Sequence, residues 1–80
     1  MKFTNAIEVN DFLRTVEECK GDVWLMSPYG DKYVLKSAFS RYIAMAALLS
    51  EKGDELELFC HLNEDEHRFF KYFDEHPGVN

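Results

Sequence analysis

Residues 55–62 carry the pattern that most restricts the fold of this chain. Apolar positions alternate with others, so that Leu56, Leu58, Cys60 and Leu62 fall on one side and Glu57, Phe59 and His61 on the other. A period of two indicates a β-strand that has one face against a core. Because segments with helical periodicity flank this strand, we predict a sheet that helices cover on one face.

Turn and cap residues predict the other elements, in the order βαββαβα. The first half holds a strand at Phe3, a helix capped by Asn5 with Glu8 completing a capping box, and a hairpin of strands 23–26 and 32–35 around the turn at 27–31. The second half holds a helix from Ser37 to a C-terminal glycine at Gly53, the 55–62 strand, and a last helix that Asn63 caps and Pro77-Gly78 ends. The buried stripe of the last helix is predicted to be Phe69, Phe70 and Phe73.

Apolar side chains exceed what one small core can hold. On the sheet, Trp24, Met26, Val34 and Phe59 fall on the face away from the core. On the second helix, the stripe of Phe39, Tyr42, Ile43, Ala46 and Leu49 is expected to face inward, which leaves Met45 and Leu48 outside. Apolar groups exposed together indicate an interface, so we predict one on the sheet face and one at Met45 and Leu48.

Length and charge exclude several classes of function. The 80 residues suffice for one domain, over 1–80, with a net charge of -6 that falls entirely in residues 51–80. So acidic a chain is a poor nucleic-acid binder. No uncharged run is long enough to span a membrane, and no signal peptide is expected at the start. Cys19 and Cys60 have no metal or redox spacing and read as free thiols, so we expect a cytoplasmic protein.

Catalytic and metal-binding patterns do not emerge from the sequence. His61, His67 and His76 lack the spacing of a helical zinc site. The acidic run of Glu64, Asp65 and Glu66 lacks the alternation of a calcium loop and suits the first turn of a helix. We therefore predict a protein that is not an enzyme, with no cofactor and no metal site.

Several segments together carry a family resemblance. They are Cys19-Lys20-Gly21-Asp22-Val23-Trp24-Leu25, Tyr29-Gly30-Asp31-Lys32, Tyr33-Val34-Leu35-Lys36-Ser37, Glu57-Leu58-Phe59 and Asn63-Glu64-Asp65-Glu66. With the βαββαβα order, they resemble HPr, the histidine-containing phosphocarrier of the bacterial sugar phosphotransferase system. The resemblance implies an α+β fold, the HPr-like open-faced β-sandwich, with a four-stranded antiparallel sheet in the order 1-4-2-3 and helices on one face.

The resemblance also implies that the family's active site is lost. The phosphorylated histidine of the family corresponds to Asn5, its arginine to Ile7 and its proline to Glu8. An amide cannot carry a phosphoryl group as an imidazole does, and a carboxylate at Glu8 would repel phosphate. The regulatory serine of the family corresponds to Ser37, which is a candidate phosphorylation site.

We therefore expect an HPr-like binding or regulatory module without phosphocarrier activity. It would act on a protein partner, with phosphotransferase-system proteins among the candidates, or on a second copy of itself as a homodimer. One alternative is a phosphocarrier that uses a non-standard phosphorylation site. The other is an acidic, cation-responsive module built on Glu64, Asp65 and Glu66.

Overall fold

In the computed structural model, which describes residues 1–79, the chain forms an α+β fold of three α-helices and a three-stranded antiparallel sheet. The elements are α1 (Ala6–Glu18), β1 (Val23–Met26), β2 (Lys32–Val34), α2 (Ala38–Leu49), a 3₁₀ helix (Glu51–Glu55), β3 (Glu57–Cys60) and α3 (Asn63–Glu75). The strand order is β2-β1-β3. The predicted four-stranded sheet of order 1-4-2-3 is therefore wrong.

The missing strand is the one predicted at Phe3. Its side chain is buried in the core, where its ring centroid lies 5.4 Å from that of Phe12. The backbone beside it bonds elsewhere, since the Lys2 N–H donates to the Val79 carbonyl at 2.7 Å. Core burial and pairing with the C-terminal segment thus replace the expected pairing with the sheet, and β3 becomes an edge strand.

The hairpin and the facing of the sheet agree with the prediction. β1 pairs antiparallel with both neighbours, and its register sets Trp24 opposite Val34 on one side and opposite Phe59 on the other. Val23 and Leu25 are fully buried, whereas Trp24 is half-buried. In the turn, the Ser27 hydroxyl accepts hydrogen bonds from two backbone N–H groups, and Gly30 takes a φ of 93°, which favours glycine.

An aromatic cluster around Phe12 joins the helices into one core. The Phe12 ring lies 5.5 Å from Phe69 and 5.8 Å from Tyr72, both on α3. Tyr72 thus belongs to the buried stripe of the last helix, and Phe70, which was predicted there, is 60% exposed. The last helix also begins differently, because Leu62 is its N-cap and Asn63 is already helical.

Helix α2 presents the opposite face from the predicted one. Ala44 and Leu48 are buried and Met45 packs against the core, whereas Phe39 and Tyr42 are 76% and 80% exposed. Arg41 explains this orientation: its Nε donates to the Leu35 carbonyl at 3.1 Å and it forms an ion pair with Glu17 of α1 at 2.7 Å. Ala44, Met45 and Leu48 follow Arg41 at i+3, i+4 and i+7, so they face the core with it.

The end of α2 also differs from the prediction. The helix ends at Leu49 with Ser50 as its C-cap, four residues before the expected glycine. Gly53 is instead buried within the 3₁₀ helix. A Cβ at this position would lie 2.4 Å from the Leu48 carbonyl oxygen. Gly53 is therefore required by a close backbone approach and not by a helix terminus.

Adjacent leucines test the orientation of α2. Leu48 is 1% exposed and Leu49 is 39% exposed. We expect Leu48→Ala to lower the free energy of unfolding by about 3 kcal/mol, since it leaves a cavity in the core. Leu49→Ala is the matched control and should cost less than about 1 kcal/mol. Urea unfolding followed by circular dichroism measures both. A larger loss of stability for Leu49→Ala than for Leu48→Ala would contradict the observed orientation of α2.

Candidate interaction surfaces

Asn5 acts as the N-cap of α1, as predicted. Its Oδ1 accepts a hydrogen bond from the Glu8 N–H at 3.0 Å. In a capping box, the Glu8 carboxylate would accept a hydrogen bond from the backbone N–H of Asn5. It accepts instead from the Thr4 hydroxyl and from the side-chain amide of Asn5. At the position matching the family's arginine, the Ile7 side chain is 73% exposed. The Asn5 amide is thus engaged in capping.

Ser37 lies at the N-cap position of α2 without a side-chain capping bond. Its backbone N–H donates to the Val34 carbonyl at 3.3 Å, and its own carbonyl accepts from the Arg41 N–H at 2.8 Å. The residue is exposed. A phosphate on its hydroxyl would lie near the positive end of the helix dipole, and phosphorylation of Ser37 stays a prediction.

The four predicted sheet residues lie together on the face away from the helices. The rings of Trp24 and Phe59 stack with centroids 6.0 Å apart and an interplanar angle of 15°. The Lys32 ammonium lies 4.9 Å from the centroid of the Trp24 ring. Val34 and Met26 are half-buried beside them. The structure thus brings this set together, and its use as an interface stays a prediction.

The predicted pair on α2 lies elsewhere. Leu48 belongs to the core and Met45 packs against it, so neither forms a surface stripe. The exposed residues of this helix include four large apolar side chains, which we call the α2 face: Phe39, Tyr42, Ile43 and Leu49. Sequence reasoning assigned them to the core because they form the larger stripe. No signal in the sequence could have corrected this, because the contacts of Arg41 with Glu17 and with the Leu35 carbonyl are tertiary contacts.

A groove between β3 and α3 was also missed. It has a volume of about 290 Å³ and is lined by Leu58, Phe59, Cys60, Glu66, Phe69, Phe70 and Phe73. Phe70 is the most exposed apolar residue in it. Spacing alone assigned Phe69, Phe70 and Phe73 to one buried stripe, but consecutive helical residues point about 100° apart and only Phe69 faces the core fully.

Asp65 differs from Glu64 and Glu66, its exposed neighbours in the acidic run. It is fully buried, and its carboxylate accepts hydrogen bonds from the Lys20 N–H at 3.0 Å and the Gly21 N–H at 2.8 Å. Arg68 completes the site with its Nε 3.5 Å from Oδ1, an ion pair without hydrogen-bond geometry. Burial alone would raise the pKa of Asp65, but the backbone donors and Arg68 outweigh it, so the pKa lies below its ordinary value.

Other titratable side chains nearby are held in their neutral forms. Burial, together with the neighbouring Cys19 and Asp65, raises the pKa of the Cys60 thiol to about 11. Burial and Asp65 also raise the pKa of Cys19. Burial and the acids Asp11 and Glu8 raise the pKa of Tyr72 to about 12. Both thiols are free and remain protonated at neutral pH, where a thiol is a weak nucleophile.

The histidines lie in separate environments. His61 and His67 are exposed, and His76 stacks on Tyr72 with ring centroids 4.3 Å apart. Within residues 1–79, no group of three or more His, Cys, Asp or Glu side chains is arranged to hold a metal ion. No helix in this part of the chain is long and apolar enough to cross a membrane.

Comparisons with known proteins add no family. No family model, no curated protein and no solved structure matches the chain. The resemblance to HPr therefore rests on the quoted sequence segments, and the four-stranded sheet that it implied is replaced by three strands.

The Asp65 site predicts a large effect of a small substitution. Asp65→Asn preserves shape but loses the charge and one of the two acceptor oxygens, which leaves a partly buried backbone N–H without its acceptor. We expect the free energy of unfolding to fall by about 3 kcal/mol. Glu64→Gln is the matched control, because the Glu64 carboxylate is exposed and its ion pair with Lys20, at 3.7 Å, lies at the surface. Equal urea midpoints for the two variants would contradict the structural role of Asp65.

The same site predicts a loss of stability in acid. The pKa of Asp65 is lower in the folded state than in the unfolded chain. Its contribution is therefore complete above the unfolded value of about 3.9 and is lost as pH falls through the folded value. We expect the free energy of unfolding to decrease below about pH 4, and to decrease less steeply in Asp65→Asn. Urea titrations across this range measure the slopes, and identical slopes would contradict the prediction.

Proposed function

We propose that the chain is a non-catalytic interaction module that binds an amphipathic, basic helix of a protein partner through the α2 face. The exposure of Phe39 and Tyr42 carries the proposal, since both rings project from a helix whose opposite side already packs on the core. Single exposed apolar residues are ordinary, but four large ones along one helix form a patch.

The area of the α2 face is large for so small a domain. Phe39 and Tyr42 are mostly exposed, and aromatic side chains of this kind bury ~150–250 Å² each on contact. With Ile43 and Leu49, the face offers on the order of 500 Å², in the range where exposed patches are often functional. At ~25 cal/mol per Å², its burial provides a driving force of about 12 kcal/mol before the costs of association.

The charges around the face favour a cationic partner. Arg41, the only charged residue of α2, is paired with Glu17 and turned toward α1, so the face itself is uncharged. Glu51 and Asp54 lie at its C-terminal end, next to Leu49 around one shallow cleft, where they outnumber the one base of the cleft, Lys2. The chain as a whole carries a charge of -6. Lysines or arginines flanking the apolar stripe of a partner helix would match this arrangement.

Two further observations support a binding role in the cytoplasm. Asn5 caps α1 and Ile7 is apolar where the resembled family has its histidine and arginine, so the first helix lacks the groups for phosphoryl transfer. Cys19 and Cys60 are both free thiols, which suits a reducing compartment. We therefore propose that the module acts in the cytoplasm.

Fluorescence anisotropy with a designed peptide tests the proposal. The probe is a labelled helix of about 18 residues, roughly five turns, with leucines at i, i+3, i+4 and i+7 and lysines elsewhere. We expect micromolar binding to the wild-type chain. Phe39→Ser and Tyr42→Ser should each weaken it about 30-fold, since truncating an aromatic anchor at an interface costs ~2 kcal/mol.

Two controls make the result specific. Ile7→Ser removes an equally exposed apolar side chain from α1 and should leave the affinity unchanged. A scrambled peptide of the same composition has no apolar stripe and should bind at least about tenfold more weakly, which separates apolar docking from simple charge attraction. Equal binding of both peptides, or equal losses in Ile7→Ser and Tyr42→Ser, would contradict the proposal.

A further inference from the structure

The outer edge of β3 is a second surface, separate from the α2 face. Within residues 1–79, β3 pairs on one side only, with β1. A strand at Phe3 would have covered its other side, but Phe3 is buried in the core instead. An open strand edge is a template for pairing with another strand.

The ladder between β1 and β3 shows which main-chain groups this edge offers. The His61 N–H donates to the Asp22 carbonyl at 2.9 Å, so these two residues form a hydrogen-bonded pair. Hydrogen-bonded and non-hydrogen-bonded pairs alternate along an antiparallel ladder. Phe59 therefore points its N–H and C=O groups toward β1, and Leu58 and Cys60 point theirs away from it.

The opposite edge of the sheet is protected, whereas the β3 edge is not. On β2, the Val34 carbonyl already accepts the Ser37 N–H at 3.3 Å, and Lys32 places a charge at the strand. Lysine on an edge strand opposes edge-to-edge pairing. The sequence of β3, Glu-Leu-Phe-Cys, contains neither lysine nor proline, and its one charged residue, Glu57, is the first of the strand.

We propose that β3 pairs antiparallel with β3 of a second copy of this chain, which joins the two sheets into one of six strands. The register follows from the available groups. With Phe59 opposite Phe59, Leu58 of each copy pairs with Cys60 of the other and both exchange N–H and C=O bonds. If Leu58 stood at the centre instead, Leu56 would have to pair, but its N–H already donates to the Gly53 carbonyl. If Cys60 stood at the centre, Leu62 would have to pair, but its carbonyl already accepts from the Asp65 N–H.

This register also brings complementary side chains together. On the outer face, the pairs Val34–Trp24 and Trp24–Phe59 extend through Phe59 of the second copy into one apolar row across six strands. Along the same face, Glu57 lies opposite His61 of the second copy, an acid against an imidazole, on both sides of the two-fold axis. Opposed pairs of this kind stabilise a sheet.

The inner face is complementary as well. Leu58 lies opposite Cys60 of the second copy and continues the row of core-facing residues. The groove of about 290 Å³ between β3 and α3 opens beside this edge, and Phe70 in it is 60% exposed. In the dimer, two such grooves meet across the axis, so apolar side chains of α3 lose contact with water.

Oligomeric state and disulfide trapping test the inference. Sedimentation equilibrium at high protein concentration should show a dimer. Phe59→Lys, which sets two ammonium groups opposite each other, should weaken it about 30-fold or more. Tyr29→Lys is the matched control, because it makes the same change at an exposed aromatic residue of the hairpin turn and should leave the dimer intact.

Engineered cysteines then test the register. In a Cys19→Ala, Cys60→Ala background, Phe59→Cys should form an intermolecular disulfide on mild oxidation, because directly opposite residues in a non-hydrogen-bonded pair lie within bridging reach. Glu57→Cys should not, because it lies opposite position 61. Circular dichroism of each variant checks that the domain is folded.

Several results would overturn the inference. They are a wild-type monomer at high concentration, a dimer that survives Phe59→Lys, and trapping by Glu57→Cys in preference to Phe59→Cys. A dimer dissociated by Tyr42→Ser instead would place self-association on the α2 face. Because the inference rests on β3 alone, its failure leaves peptide binding by the α2 face to be judged separately.

Discussion

The carboxylate of Asp65 is the constraint on which the rest of the fold depends. It accepts the backbone N–H groups of Lys20 and Gly21, so it fixes the turn between α1 and β1 against the first turn of α3. These elements are far apart in the chain, and between them they position the central strand and the helix that supports β3. An apolar residue here would leave two partly buried donors without acceptors, which explains why a charge is tolerated in so small a core.

Local patterns predicted most of the elements, and long-range competition accounts for the failures. Asn5 was assigned as a cap from its neighbours, and the alternation at residues 55–62 identified the strand and its facing, although the strand itself is shorter, Glu57–Cys60. The strand predicted at Phe3 is wrong because a single apolar residue can belong to a strand or to a core equally well. Only its contact with Phe12 decides between the two. The prediction that Gly53 ends the second helix is wrong because its close approach to the Leu48 carbonyl cannot be inferred from one sequence.

The candidate surfaces likewise include one that local patterns predicted and one that depends on long-range contacts. Trp24 and Phe59 were predicted to share the outer sheet face, since a strand has only two faces and the core takes one. The predicted orientation of α2 is wrong because the helix has two apolar stripes. Periodicity reveals both stripes but does not show which one packs on the core. Arg41 decides it through Glu17 and the Leu35 carbonyl, and both contacts depend on the tertiary structure.

Trp24 is the chain's single tryptophan, and its position gives the molecule an internal optical reporter. Its indole stacks on Phe59 and lies under the Lys32 ammonium, so its emission depends on the pairing of β1 with both neighbouring strands. None of the three helices supplies a ring to this stack. Fluorescence therefore follows the sheet while far-ultraviolet dichroism follows mainly the helices, and the two signals together show whether the layers separate at one denaturant concentration or in sequence.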